Sequence, residues 1–164
     1  MVKSIAIVGG SSDIAKSTIS SMSADAYKFH VLVRDDSHTQ ELSALGVNVV
    51  LGDATSEEDI KNFISGVKES AEIHAVLHCV GSFAVRPPHA MNKEAFETVI
   101  STNLTSAFLT LSIAGKAMLS QGHGRMVFMS SVAGSLGLVN HEAISAAKGG
   151  IESMVRSAAA TYAN

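Results

Sequence analysis

Residues 4–16 read Ser4-Ile5-Ala6-Ile7-Val8-Gly9-Gly10-Ser11-Ser12-Asp13-Ile14-Ala15-Lys16. A short apolar run breaks into Gly-Gly-Ser-Ser, and the pattern restarts as a helix. The run has the length and residue types of a buried strand. A strand turning tightly into a helix gathers unpaired N–H groups and the positive end of the helix dipole at one spot, which favours an anion such as a phosphate. Gly9 and Gly10 allow the tight turn and a close approach of backbone to a pyrophosphate. Ser11 and Ser12 add hydroxyls, and Ile14 opens the helix. A glycine pair also occurs in ordinary strand–helix turns, so the rest of the chain decides the reading.

The same alternation continues. Ser4–Val8, His30–Val33, Val47–Leu51, Ala75–Cys79 and Arg125–Met129 read as strands, each bounded by Gly, Asp or Ser. Helical patterns fill the gaps: Asp13–Ser23, a short segment near Ser37–Leu45, Ser56–Lys68, a long stretch from Lys93 to Ser120, and a last helix from about Ala143 to Ala163. Thr55-Ser56-Glu57-Glu58 resembles a capping signal for the third helix. Strands alternating with helices at this spacing imply βαβ units, a parallel sheet and right-handed crossovers. There is no repeat, linker or low-complexity segment, so residues 1–164 are read as one domain.

Composition agrees. The chain is 46% hydrophobic and 16% charged, a balance suited to a sheet covered on both faces. The net charge of −3 and the absence of long basic runs argue against a nucleic-acid partner. The single Cys79 excludes an internal disulfide framework and fits a reducing, cytoplasmic setting. No signal-peptide pattern occupies residues 1–10, and no run of about 20 apolar residues predicts a membrane span.

The second strand ends Val33-Arg34-Asp35. An acidic side chain at this tip would bind a ribose 2′-hydroxyl, and a basic one would receive a 2′-phosphate. Arg34 therefore tilts the expectation toward NADP, with NAD the alternative.

At this point the chain resembles a classical short-chain dehydrogenase/reductase, from Ile5 to Ala163. Val8–Ala15 aligns with that family's Thr-Gly-x-x-x-Gly-Ile-Gly turn. Gly52-Asp53-Ala54-Thr55 looks like the Asp-containing segment after the third strand, whose Asp contacts adenine. His78-Cys79-Val80-Gly81 lies where the family carries Asn-Asn-Ala-Gly. Thr102-Asn103-Leu104 matches the Asn of the long helix. Ser130-Ser131-Val132-Ala133-Gly134 matches the segment with the catalytic Ser, at Ser131. Ile144-Ser145-Ala146-Ala147-Lys148-Gly149-Gly150 matches Tyr-x-x-x-Lys. The resemblance implies a Rossmann-type, doubly wound parallel sheet in the order 3-2-1-4-5. It implies hydride transfer between NADP(H) and a small carbonyl or alcohol substrate. Lys148 would hold the nicotinamide ribose, Ser131 would bind the substrate oxygen, and Asn103 would serve the proton relay. Gly9, Gly10, Ser11, Ser12, Ile14, Arg34, Asp53, Ala54, Val80, Gly81 and Lys148 would contact the cofactor. No metal site is expected.

The departures are specific. Ile144 stands at the position of the family's catalytic Tyr, four residues before Lys148 and thirteen after Ser131, and isoleucine cannot move a proton. The tyrosines are Tyr27, before the second strand, and Tyr162, roughly 27 Å along the last helix from Ile144 at about 1.5 Å per residue. Asp13 and Ala15 replace two glycines of the first turn. His78 and Cys79 replace the paired Asn. His141, three residues before Ile144, is the candidate substitute acid, because imidazole titrates near neutrality. The rival reading is a non-catalytic nucleotide-binding or scaffold protein that kept the fold without the Tyr.

Other patterns carry less. Asn103-Leu104-Thr105 is a glycosylation sequon with nothing pointing to secretion. His74 and His78 share a strand face but lack a third metal ligand. No Gly-x-Ser-x-Gly elbow is present. The family's members continue into a sixth and a seventh strand, so the sheet is expected to be truncated here. That would leave the fifth strand as an edge, completed by further residues or covered by association. The long helix from Lys93 and the small-residue stretch Ser157–Ala160 suit subunit packing, which predicts a homo-oligomer, a dimer or tetramer.

Overall fold

The structure, a computed structural model, describes residues 2–22 and 25–163. The strands are β1 (Lys3–Val8), β2 (Tyr27–Val33), β3 (Asn48–Leu51), β4 (Ile73–His78) and β5 (Met126–Phe128). The α-helices are α1 (Asp13–Ser21), α2 (Thr39–Ala44), α3 (Glu57–Ser70), α4 (Lys93–Ile100), α5 (Ser106–Gln121) and α6 (Glu142–Tyr162). All strand pairings are parallel, and the sheet order is β3-β2-β1-β4-β5. This is the Rossmann-type order that the family resemblance implied.

The pleat of β1 explains the two layers. Ala6 and Val8 point into one core with Leu32, Ile60, Phe63, Ile64, Val67 and Val76, beneath α3 and α5. Ile5 and Ile7 point the other way, with Phe29, Val31, Val33, Ala15, Ile19 and Leu42, beneath α1 and α2. Successive side chains of a strand alternate faces, so an unbroken apolar run fills two cores at once.

Local signals set the helix ends. Ser12 caps α1 by accepting from the Ala15 N–H at 3.1 Å, and Ser56 caps α3 by accepting from the Asp59 N–H at 3.2 Å. Asn92 caps α4 by accepting from the Ala95 N–H at 2.9 Å. Gly122 ends α5 in the left-handed conformation at φ 81°.

Several boundaries differ from the sequence reading. Tyr27 opens β2 rather than preceding it, because Tyr27 and Lys28 continue the register against Lys3 and Ser4. The helix expected over Asp13–Ser23 ends at Ser21, and Ser23 lies outside the described residues. The long stretch from Lys93 is broken by a π-helical turn over Ser101–Thr105. Residues Lys93–Gln121 are, by length and composition, apolar enough to cross a membrane, at mean hydropathy 1.2 over a window. In this fold the stretch is a core element, with Asn103, Ala107, Thr110, Ala114 and Met118 buried.

Candidate functional site

The chain reverses direction across the sheet between β1 and β4, and a crevice opens there beyond the carboxyl ends of the strands. A cleft of about 490 Å³ occupies it. One wall is the β1–α1 turn with Gly9, Ser11 and Ser12. The far end holds Arg34, Asp35 and the segment from Gly52 to Thr55. The floor is Cys79, Val80 and Gly81, and Thr98, Ser101 and Thr102 close the other side.

The glycine turn is shaped by its neighbours. Gly9 adopts φ 88°, and a Cβ on it would lie 2.8 Å from the Val80 nitrogen. A Cβ on Gly10 would lie 2.6 Å from the Val31 Cβ. The N–H groups of Gly9 and Gly10 both donate to the Leu32 carbonyl, at 3.0 Å. At the start of α1 the N–H groups of Ser11, Asp13 and Ile14 meet no carbonyl of the described residues, and Ser11 and Ser12 line the cleft beside them. The Ile14 side chain is exposed, away from the cleft. Asp13, also exposed, places a carboxylate on the first turn of α1.

At the far end, Asp53 accepts from the Thr55 N–H at 2.7 Å and the Thr55 hydroxyl at 2.8 Å. These bonds, with the nearby Arg34 charge, hold its carboxyl below the usual carboxylate range. Arg34 is exposed, with its guanidinium free to meet a ligand. Ala54 is buried beside it.

Around Gly81 the cleft meets α6. A Cβ on Gly81 would stand 3.3 Å from Asn103 Oδ1 and 3.6 Å from Lys148 Nζ. Asn103 lies in the π-helical turn, fully buried. Its Oδ1 accepts from the Ser82 N–H at 3.2 Å, and its Nδ2 donates to Ser82 Oγ and the Val99 carbonyl, each at 2.9 Å. Lys148, buried, donates from Nζ to the Met129 carbonyl at 2.8 Å. Burial lowers its pKa, and the neighbouring Cys79 opposes that shift.

Ser131 follows β5. Its Oγ accepts from the Ala133 N–H at 3.2 Å and caps the short turn Val132–Gly134. Its own O–H donates to no group of the described residues. Ile144 is 4% exposed and sits in an apolar cluster with Val99, Ala133, Ala143 and Ala147. His141 is the N-cap residue of α6. Its Nδ1 donates to the Val139 carbonyl at 2.7 Å, and its ring meets Phe83 edge-on with centroids 5.8 Å apart.

Two side-chain pairings escaped sequence reasoning. His78 Nε2 lies 2.9 Å from Ser106 Oγ, whose O–H donates to the Thr102 carbonyl at 2.6 Å. Ser106 must then accept, so Nε2 carries the proton. Burial, with the Lys148 charge, pushes the His78 pKa down to about 4. Glu152, one turn beyond Lys148, accepts from Ser130 Oγ at 2.7 Å and from Ser135 Oγ at 3.1 Å. Both pairings join residues distant in sequence, and no spacing rule marks them.

A family model described as short chain dehydrogenase matches residues 3–164. The chain belongs to this family. The 3-oxoacyl-[acyl-carrier-protein] reductase MabA of Mycobacterium tuberculosis is 29% identical over 157 residues, covering 96% of this chain and 62% of that protein. A tropinone reductase homolog of Arabidopsis thaliana is 26% identical over 166 residues, again covering 96% of this chain and 62% of that protein. This short-chain dehydrogenase thus spans about 62% of the length of the curated relatives it matches. Levodione reductase superposes with a TM-score of 0.92 at 23% identity, covering 98% of this chain and 66% of that one. ElxO with NADP bound superposes with a TM-score of 0.91 at 21% identity, covering 99% and 69%. These likenesses place the five-stranded sheet and its helices within the family's fold.

Proposed function

We propose that this short-chain dehydrogenase binds NADP(H) in the crevice and transfers hydride between it and a small carbonyl or alcohol compound. The observation that carries the reading is the cleft itself. Ser11 and Ser12 line one end, where α1 opens with the N–H groups of Ser11, Asp13 and Ile14 that no carbonyl of the described residues accepts, and Arg34 lines the other. The first set suits a pyrophosphate at a helix N-terminus. Arg34 suits a 2′-phosphate, and Asp53 and Ala54 flank the place of the adenine. Bound NADPH would supply a hydride to a carbonyl carbon.

The protein's own residues would handle the oxygen. Ser131 has an uncommitted O–H to donate to it. Lys148, cationic and buried at the same end, favours negative charge there. The proton has to come from elsewhere than Ile144. His141 lies seven residues before Lys148, about 10 Å along α6 and on the same face. Its Nδ1 is anchored on the Val139 carbonyl, so Nε2 is the nitrogen available to exchange a proton with substrate. His141 is our candidate acid.

The second reading is a nucleotide-binding protein without turnover. It is favoured by the burial of Ile144 among alanines and Val99, which leaves no hydroxyl at that point. One experiment separates the two. Purified protein is titrated with NADPH by nucleotide fluorescence and then assayed for NADPH oxidation on a broad carbonyl panel. Binding with turnover supports the reductase. Binding without turnover favours the second reading, and no binding at millimolar nucleotide rejects both.

Assembly fits the same proposal. Phe108, Leu119, Val155 and Tyr162 are exposed on α5 and α6. These two helices flank an apolar groove of about 370 Å³ that contains none of the site residues. This face suits a second copy of the chain, as the expected homo-oligomer requires, or the further residues that would complete the sheet beyond β5.

A further inference from the structure

We propose that Glu152 is a positioning residue, clasping the segment Ser130–Ser135 onto α6 and thereby setting Ser131 against Lys148. The inference rests on the reductase reading above.

Glu152 lies four residues after Lys148, one turn on and on the same face of α6. Its Oε1 accepts from Ser130 Oγ at 2.7 Å, immediately before Ser131. Ser135 Oγ lies 3.1 Å from both carboxylate oxygens, just after the turn that Ser131 caps. One carboxylate thus holds both ends of the loop that carries Ser131. The contact is close throughout. A Cβ on Gly134 would lie 2.9 Å from Glu152 Oε1, 3.1 Å from the Gly149 nitrogen and 3.1 Å from the Lys148 carbonyl carbon. The loop therefore rests directly on the backbone of Lys148 and Gly149.

The chemistry asks for a carboxylate. Two hydroxyls donate to it, and an ionised carboxylate offers about four acceptor positions with no donor to interfere. The hydroxyl bonds, aided by the charge of Arg156 one turn on, hold Glu152 ionised by lowering its pKa. A glutamine keeps one acceptor oxygen and replaces the other with a donor. An alanine removes both carboxylate bonds, freeing Ser135 and leaving Ser130 Oγ only its longer approach to the Lys148 carbonyl, at 3.4 Å. Ser131 would then lose its fixed position over the start of α6, and a displacement of about 1 Å in a reacting group costs on the order of 100-fold in rate.

The test compares Glu152→Ala, Glu152→Gln and the double variant Ser130→Ala/Ser135→Ala with the wild type. The measurements are NADPH affinity, kcat, KM and amide exchange over residues 133–136. Expected for Glu152→Ala is a fall in kcat of at least about tenfold with NADPH affinity within about twofold. Glu152→Gln should recover part of the loss. The double serine variant should reproduce the alanine effect, and adding Glu152→Ala to it should cost nothing more. The serine variants leave α6 untouched, so the idea stays testable if Glu152→Ala folds poorly. An unchanged kcat in Glu152→Ala, or full additivity with the serine variants, overturns the proposal. A wild type that turns over no carbonyl compound counts against the reductase reading instead. In that case unchanged exchange at residues 133–136 rejects the clasp, and faster exchange retains it as a structural clamp.

Discussion

Ile144 and Lys148 lie one helical turn apart on α6, both buried, at 4% and 6% exposure. The first is packed among apolar side chains and the second donates to the Met129 carbonyl. A charged amine and an aliphatic chain thus share one face at the inner end of the cleft. On the proposed function, binding groups are in place there and the missing element is a hydroxyl at position 144.

Ile144→Tyr is expected to raise NADPH-dependent turnover. A positioned acid contributes about 10²- to 10⁴-fold where the rest of a site is intact. The ring must enter a cluster bounded by Val99, Ala133 and Ala147, so overpacking should cost about 1–3 kcal/mol and lower Tm. Steady-state assays and a melting curve read both effects together. A stable variant with no gain in rate would show that more than the acid is absent.

His141→Ala is expected to remove turnover while leaving NADPH affinity nearly unchanged. The imidazole ring packs against Phe83 and the Val139 carbonyl, whereas the nucleotide cleft is lined by other elements. Wild-type rates in this variant would eliminate His141 as the acid. A parallel loss of affinity would mean that the ring supports the loop rather than the reaction.

Arg34→Ala should weaken NADPH far more than NADH. A hydrogen bond to a charged group is worth about 1.5–3 kcal/mol, and this guanidinium is exposed, so solvent and salt reduce the effect to about tenfold. Titrations of both nucleotides at low and high ionic strength measure it. Equal loss for the two nucleotides would remove the assignment of Arg34 to a 2′-phosphate.

Much of this was legible in the sequence, and the exceptions have physical causes. The parallel sheet followed from apolar runs alternating with helical patterns, because a doubly covered sheet demands them, whereas the strand order came from the family resemblance. The start of β2 was missed because Tyr27 and Lys28 lie at its exposed end and carry no buried run. The π-helical turn over Ser101–Thr105 has no glycine or proline to announce it. At the site, Gly9, Arg34, Asp53 and Gly81 do meet in one cleft, since each closes a strand at its carboxyl end. The role of Gly9 and Gly10 was only half legible. Their N–H groups bind the Leu32 carbonyl, and their missing side chains make room for Val80 and Val31. The Glu152 clasp joins residues 22 positions apart, a separation that only the fold closes.

Acid should destabilise the protein through His78. Its folded pKa is about 4, below the ordinary imidazole value of 6.5. Above pH 6.5 the residue is neutral in both folded and unfolded chains and contributes no pH dependence. Between pH 6.5 and 4 the unfolded chain takes up the proton and the native one does not, so stability falls as the pH falls. The full effect is on the order of 3 kcal/mol, reached near pH 4. His30, also lowered by burial and by Lys28, adds to the same arm. Denaturant midpoints measured from pH 7 to 4 should decline, and His78→Asn should flatten most of that decline. Asparagine carries no titrating group, so the variant removes the proton uptake, and because its shorter amide does not reach the place of His78 Nε2, the lost bond to Ser106 Oγ lowers stability at every pH without altering the slope. An unchanged slope in the variant would place the acid sensitivity elsewhere, with His30→Asn as the next variant to measure.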